Sequence, residues 1–202
     1  MRQLTEGLSW ASGGEDSWQI PDKAAISRAR ARLGFEPMQL LFDLACRPMA
    51  TELTIGAFYR GLLLMSIDGT CLDVADTPEN SAAFGRPGSH RRVGGGAFPQ
   101  VRLVGLCESG THALVAAALG SYRTSERELA SRVLPNLEPG MLCLADRGIY
   151  SFDRFAAAAG TGAELLWRVS QKVRVERETV LGDGSYLSTL KPARRAGHNR
   201  HA

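Results

Sequence analysis

Asp68 closes the apolar run LLLMSID and Asp146 closes MLCLAD, and a glycine follows each acid within two residues. Carboxylates brought together at the ends of two strands repel one another. Sharing a proton relieves that repulsion, and so does a hard divalent cation, which takes oxygen ligands. Gly69 and Gly148 leave room beside the acids for a phosphate, and a pair of metals about 3.5 to 4 Å apart in such a site activates water and stabilises a leaving oxygen. Phosphodiester cleavage is the chemistry this pattern predicts. Taken singly, each aspartate also fits a strand end satisfied by its own turn. Asp73 and Asp76 compete with Asp68, but Asp76 precedes Thr77-Pro78-Glu79-Asn80, a turn composition in which a carboxylate serves the local backbone.

No acid follows on a helix to complete a trio. Glu126 and Glu128 fall on the helix between the third and fourth strands, Glu176 and Glu178 on an exposed hairpin, and none is placed to act as the third ligand.

The elements that must bring Asp68 and Asp146 together are legible from periodicity. LLLMSI from Leu62 is too brief for a helix and reads as a strand covered on both faces. Thr77 to Gly96 reads as a loop. Gln100–Cys107 and His112–Leu119 read as a hairpin turned by Glu108-Ser109-Gly110. Thr124 offers an N-cap to a helix from Ser125 to about Leu134, and Pro139-Gly140 introduces the strand Met141–Ala145. Ser151 caps an alanine-rich helix ending near Gly160, and Glu164–Val169 is a fifth strand. The order β-β-β-α-β-α-β predicts a mixed α/β sheet with helices on its faces, the ribonuclease H-like order, with the first and fourth strands as parallel neighbours.

Before this core, Pro21-Asp22 starts a helix to Leu33, Gly34 stops it, and Glu36-Pro37 begins a second with apolar residues at Met38, Leu41, Phe42 and Ala45. After it, Lys172–Glu176 alternates charged and apolar, and Gly182-Asp183-Gly184 turns the chain into Ser185–Leu190 as an exposed hairpin, followed by a basic tail without apolar period. The expected division is a helical module over 1–58, the sheet core over 59–170, and a partial β insertion with the basic tail over 171–202.

At 202 residues and 44% hydrophobic, the chain buries one good core. Its 24 Lys and Arg against 21 Asp and Glu leave a net charge of +3, so distribution rather than total charge decides on nucleic acid as a partner. Lys23, Arg28, Arg30 and Arg32 read as a basic helix face suited to a phosphate backbone, and Arg86, His90, Arg91 and Arg92 decorate the loop after the first strand on the metal-site edge. The competing reading of both groups is solvated surface. Gly94-Gly95-Gly96 lacks the strand-then-helix context and following Lys-Ser or Lys-Thr of a phosphate loop, and His198 and His201 sit in a tail where no helix is expected. Cys46, Cys71, Cys107 and Cys143 are far apart and form no CxxC pair, so they read as reduced core residues. No apolar run reaches a membrane span of roughly 18 residues and the start is polar, which places the chain in the cytoplasm by expectation.

The stretches SIDGT, DTPENSAAFGRPGS, FPQVRLVGL and LADRGIYSF resemble the DDE transposases of bacterial insertion sequences, specifically the type-four family. ARARLGFEPMQLLF looks like that family's helical leader, and TGAELLWRV with the following hairpin looks like its fifth strand and the start of its β-rich insertion. The resemblance implies a magnesium-dependent enzyme that hydrolyses and joins DNA strands at the ends of a mobile element. Asp68 matches the first catalytic and metal-binding acid; Asp146, with Gly148 and Tyr150, matches the second; and Arg147 joins the DNA-contacting set. The third, a glutamate in a tyrosine-arginine-glutamate helix beyond the insertion, has no counterpart. Beside the family the chain looks shortened at both ends, so the expectation is a transposase by ancestry that is inactive as it stands, because two carboxylates hold magnesium weakly. The alternative is a non-catalytic remnant that binds DNA or pairs with full-length relatives. Implied partners are DNA element ends and a homo-oligomer or full-length transposase, with no membrane.

Overall fold

The computed structural model describes residues 22–87 and 97–192. Pro21, His90, Arg91, Arg92, the Gly94–Gly96 run, His198 and His201 lie outside the described residues. Contacts divide the chain into two units, Met1–Ala45 and Cys46–Ala202.

In the first unit, helix α1 (Lys23–Leu33) is capped by the Asp22 carboxylate, which accepts from the Ala25 amide, and ends where Gly34 takes φ 75° and donates its N–H to the Arg30 carbonyl. Helix α2 (Glu36–Ala45) follows. The four basic residues of α1 do not share a face. At 100° per residue Lys23 and Arg30 fall together, and both line the groove beside Ser27 and Met38. Arg28 and Arg32 turn to the other side, so the expected single basic face is corrected to two smaller ones.

In the second unit, a two-residue strand β1 (Phe58–Tyr59) returns through Arg60 and Gly61, both at positive φ, into β2 (Leu62–Asp73). Next come helix α3 (Pro78–Phe84), β3 (Gln100–Glu108), β4 (Leu114–Ser121), helix α4 (Glu126–Val133), a 3-10 turn (Leu134–Asn136) and β5 (Met141–Ala145). Helix α5 (Phe152–Ala159), β6 (Glu164–Trp167) and a separate small hairpin, β7 (Thr179–Val180) with β8 (Tyr186–Leu187), complete it. The sheet is mixed, in the order β4-β3-β2-β5-β6 with β1 beside β2. β2, β3 and β4 pair antiparallel, and β5 joins β2 and β6 in parallel.

Two expectations need correction. The stretch read as loop from Thr77 holds α3, because Thr77 caps the Asn80 amide through its hydroxyl and Pro78 is pre-set for a first turn. The helices also do not divide between the faces of the sheet. The β4-to-β5 and β5-to-β6 crossovers travel the same way across it, so the right-handed rule lays α4 and α5 on one face. There Met65, Ile67, Val104, Leu106, Cys143 and Ala145 meet Leu129, Ala130, Val133 and Ala158 in one core. Met65 and Leu106 are fully buried, and each such side chain stabilises by about 1.5–3 kcal/mol. Among the described residues the opposite face is left open, with Leu119 and Leu166 more than half exposed.

The irregular segment 46–57, which leads into β1, is tied down by Glu108. This carboxylate is fully buried and accepts from the amides of Met49 (3.1 Å) and Ala50 (2.8 Å) and from the Thr111 hydroxyl. Burial pushes its pKa up, yet the three donors outweigh that and hold it below the ordinary carboxylate value. Among the described residues no helix is long and apolar enough to cross a membrane.

Candidate functional site

β2 and β5 run side by side in parallel, and Ile67 and Ala145 are their last paired residues. Asp68 and Asp146 come next on each chain, so the two acids occupy matching positions on adjacent strands, whose spacing is about 4.8 Å. Side chains alternate along a strand. Ile67 and Ala145 point into the helix-covered core, and both aspartates therefore rise from the open face, where both are exposed. Asp68 does not end its strand, as the sequence suggests. β2 continues to Asp73 because β3 pairs with it as far as Gln100, and only its parallel partner stops.

Each acid is held by its own backbone. Asp68 accepts from the Gly69 amide at 2.8 Å, and Asp146 accepts from the Gly148 amide at 2.6 Å, in both cases through Oδ1. The second oxygen of each remains for another partner. The Asp68 charge is felt at Cys107, whose thiol is pushed above its ordinary pKa first by burial and then by that carboxylate.

The glycines serve these carboxylates rather than leaving open space, which corrects the sequence expectation. A Cβ on Gly148 would come within 2.9 Å of Asp146 Oδ1, and one on Gly69 within 2.4 Å of Glu126 Oε1. Glu126, on the first turn of α4, thus lies against the residue next to Asp68, but over the covered face. Sequence spacing could not reveal this, because Glu126 and Gly69 are far apart along the chain and only the crossover brings them together. Among the described residues no three His, Cys, Asp or Glu side chains converge as a metal cluster. Two neighbouring carboxylates do fit a hydrated magnesium ion, which typically takes one or two carboxylates with waters and substrate phosphates.

Around the acids stand cations. Arg127 of α4 donates through Nε to the Gly148 carbonyl at 2.9 Å, and Arg154 of α5 donates to the carbonyls of Ile149 (2.6 Å) and Tyr150 (3.4 Å). Arg147 is exposed beside Asp146. Arg168 donates its amide to the Ala145 carbonyl at 2.9 Å and, with Ser66, Leu144, Asp146 and Leu166, lines an open groove of about 510 Å³. Arg86 is placed differently. Its guanidinium bridges Asp76, the Ser81 hydroxyl (2.8 Å) and the Ala97 carbonyl (2.8 Å), which holds the segment after α3. Arg28, Arg30 and Arg32 are exposed on α1 in the other unit.

Residues 1–43 match the family model of the insertion element 4 transposase N-terminal region. Over 176 residues, 86% of the chain, the sequence is 34% identical to the transposase InsG for insertion sequence element IS4 of Escherichia coli strain K12. Over 184 residues, 91% of the chain, it is 28% identical to the putative transposase InsZ of the same strain. The chain is similar to the IS4 transposases over most of its length. It spans 39% of the length of the first of these IS4 relatives and 61% of the second. Among solved structures, a piggyBac transposase synaptic complex with hairpin DNA aligns over 55% of the chain and 24% of its own length, at 13% identity and a TM-score of 0.38.

Proposed function

We propose that the chain carries the site of a transposase-type DNA strand-cleaving and strand-joining protein by descent, with Asp68 and Asp146 as its metal-holding acids and no third acid beside them among the described residues. The observation that carries this reading is their register: both follow the Ile67–Ala145 pair of two parallel neighbours. The order β4-β3-β2-β5-β6, with three antiparallel strands then two parallel ones, supports a ribonuclease H-like core. In this reading the partners are DNA element ends and a second transposase chain, in the cytoplasm.

Asp68 and Asp146 would hold magnesium through the oxygens their glycine amides leave unused. When bound, the ion supplies charge neutralisation and polarises a phosphate oxygen or water. The protein's own part is positional. Arg127 and Arg154 pin the carbonyls of the loop that carries Asp146, so the acid meets the substrate in one orientation.

A second reading, DNA binding without chemistry, is favoured by the acid count: among the described residues no third ligand converges. One experiment separates the two. Purified protein is incubated with element-end DNA and magnesium or manganese, and nicked or joined products are resolved on a denaturing gel. Products lost in Asp68→Asn support cleavage; their absence with either ion, while DNA is still bound, supports the second reading.

A further inference from the structure

We propose that Arg127 and Arg168 grip phosphates of a DNA strand drawn across the Asp68–Asp146 pair, one from each side of the sheet edge. The inference rests on the DNA-processing reading above and names the cations that would hold the strand there. Arg127 reaches the edge from the helix-covered side, where only its Nε is spent, on the Gly148 carbonyl. Its terminal Nη groups remain to donate in the fork geometry that suits a phosphate. Arg168 reaches it from the open side, one position beyond the Leu144–Leu166 and Ala145–Trp167 pairs, which sets it beside Asp146 in the groove.

Among the described residues the cations there form no close ion pair. Among the described residues the ion pairs join Arg86 to Asp76, Arg132 to Glu128 and Lys191 to Glu176, and none involves Arg127, Arg147 or Arg168. Arg154 sits near enough to Arg127 that, after burial, repulsion from that guanidinium holds its pKa below the ordinary arginine value. Carbonyl oxygens orient these groups but do not neutralise them, so their guanidinium charge remains to meet a phosphate. A phosphodiester strand fits that pattern: the scissile group meets the acids through a cation, and its neighbours meet the arginines directly.

The test is fluorescence anisotropy with a labelled element-end duplex in calcium, an oxygen-liganded ion that can stand between the acids and a phosphate, from 50 to about 200 mM salt. Arg127→Gln and Arg168→Gln should each flatten the slope of log affinity against log salt by about 0.9, and together by about 1.8. Arg127→Lys, which keeps the charge, should keep the slope, and Arg132→Gln, ion-paired on the same helix, should change neither affinity nor slope. Near-UV circular dichroism checks that the variants fold. A folded double variant with wild-type slope and affinity overturns the inference and leaves the DNA reading standing. Wild-type protein that binds no duplex at 50 mM salt overturns both, and protein that binds but does not cleave overturns cleavage alone, with the slopes still deciding on the arginines.

Discussion

Asp68 and Asp146 are register neighbours on parallel strands, each one step past the Ile67–Ala145 pair and each rising from the open face of the sheet. Two like charges at that spacing oppose folding until a cation joins them. Asp68→Asn should therefore raise the melting temperature of the protein in EDTA while abolishing the further rise that wild type gains from millimolar manganese. Differential scanning fluorimetry with and without the ion reads both effects.

Glu108 should govern acid stability. Its folded pKa is held below the ordinary value of 4.5, so its contribution is complete above that value and is lost as pH falls through the folded pKa. Urea unfolding of wild type should weaken steeply below pH 4.5, and Glu108→Gln should show a shallower loss. Glu108→Ala leaves the Met49 and Ala50 amides without their acceptor and should cost about 1–3 kcal/mol at pH 7.

The four thiols should react in an order set by exposure and burial. Cys71 is exposed and Cys46 and Cys107 are partly buried, which corrects the expectation of four core thiols, whereas Cys143 is fully buried and its pKa is pushed up to about 11, chiefly by burial, with a smaller opposing pull from the Trp167 N–H. Iodoacetamide at pH 8 followed by peptide mass mapping should label Cys71 first and Cys143 only on unfolding. Early labelling of Cys143 would contradict the core.

Gly110 should be intolerant of any side chain. A Cβ there would meet the Ala57 backbone at 2.6 Å, and main chain cannot move aside as a flexible side chain can. Gly110→Ala should destabilise by about 1–3 kcal/mol, whereas Gly182→Ala, with nothing within 4 Å, should be neutral in the same urea titration.

Much of this arrangement was legible in the chain itself. Met141–Ala145 and Phe152–Ala159 coincide with their sequence expectations, because Pro139-Gly140 and Ser151 are strong local punctuation and the apolar runs between them are unbroken. Helix α4 starts one residue later than expected, with Ser125 rather than Thr124 as the cap. Adjacent hydroxyls are equivalent as caps, and only the Glu128 amide chooses between them. The final hairpin pairs Thr179–Val180 with Tyr186–Leu187, and the alternating Lys172–Glu176 forms no strand; alternation supplies a face but not a partner.

At the site, the acids could be named from their strands, but their company could not. Arg127, Arg154 and Glu126 reach the Asp146 loop and Gly69 only because α4 and α5 share one face, a consequence of strand order that no local pattern carries. Arg86 read as a loop cation; Asp76, Ser81 and Ala97 claim it once α3 folds. The Thr77-Pro78-Glu79 signal for that helix is one that turns share, so composition alone does not distinguish the two.

The most direct test is manganese binding followed by electron paramagnetic resonance on wild type, Asp68→Asn, Asp146→Asn and the double variant. A shared ion predicts that each single change weakens binding at least tenfold and that the double variant is little worse than either. Wild-type affinity in both single variants would contradict it.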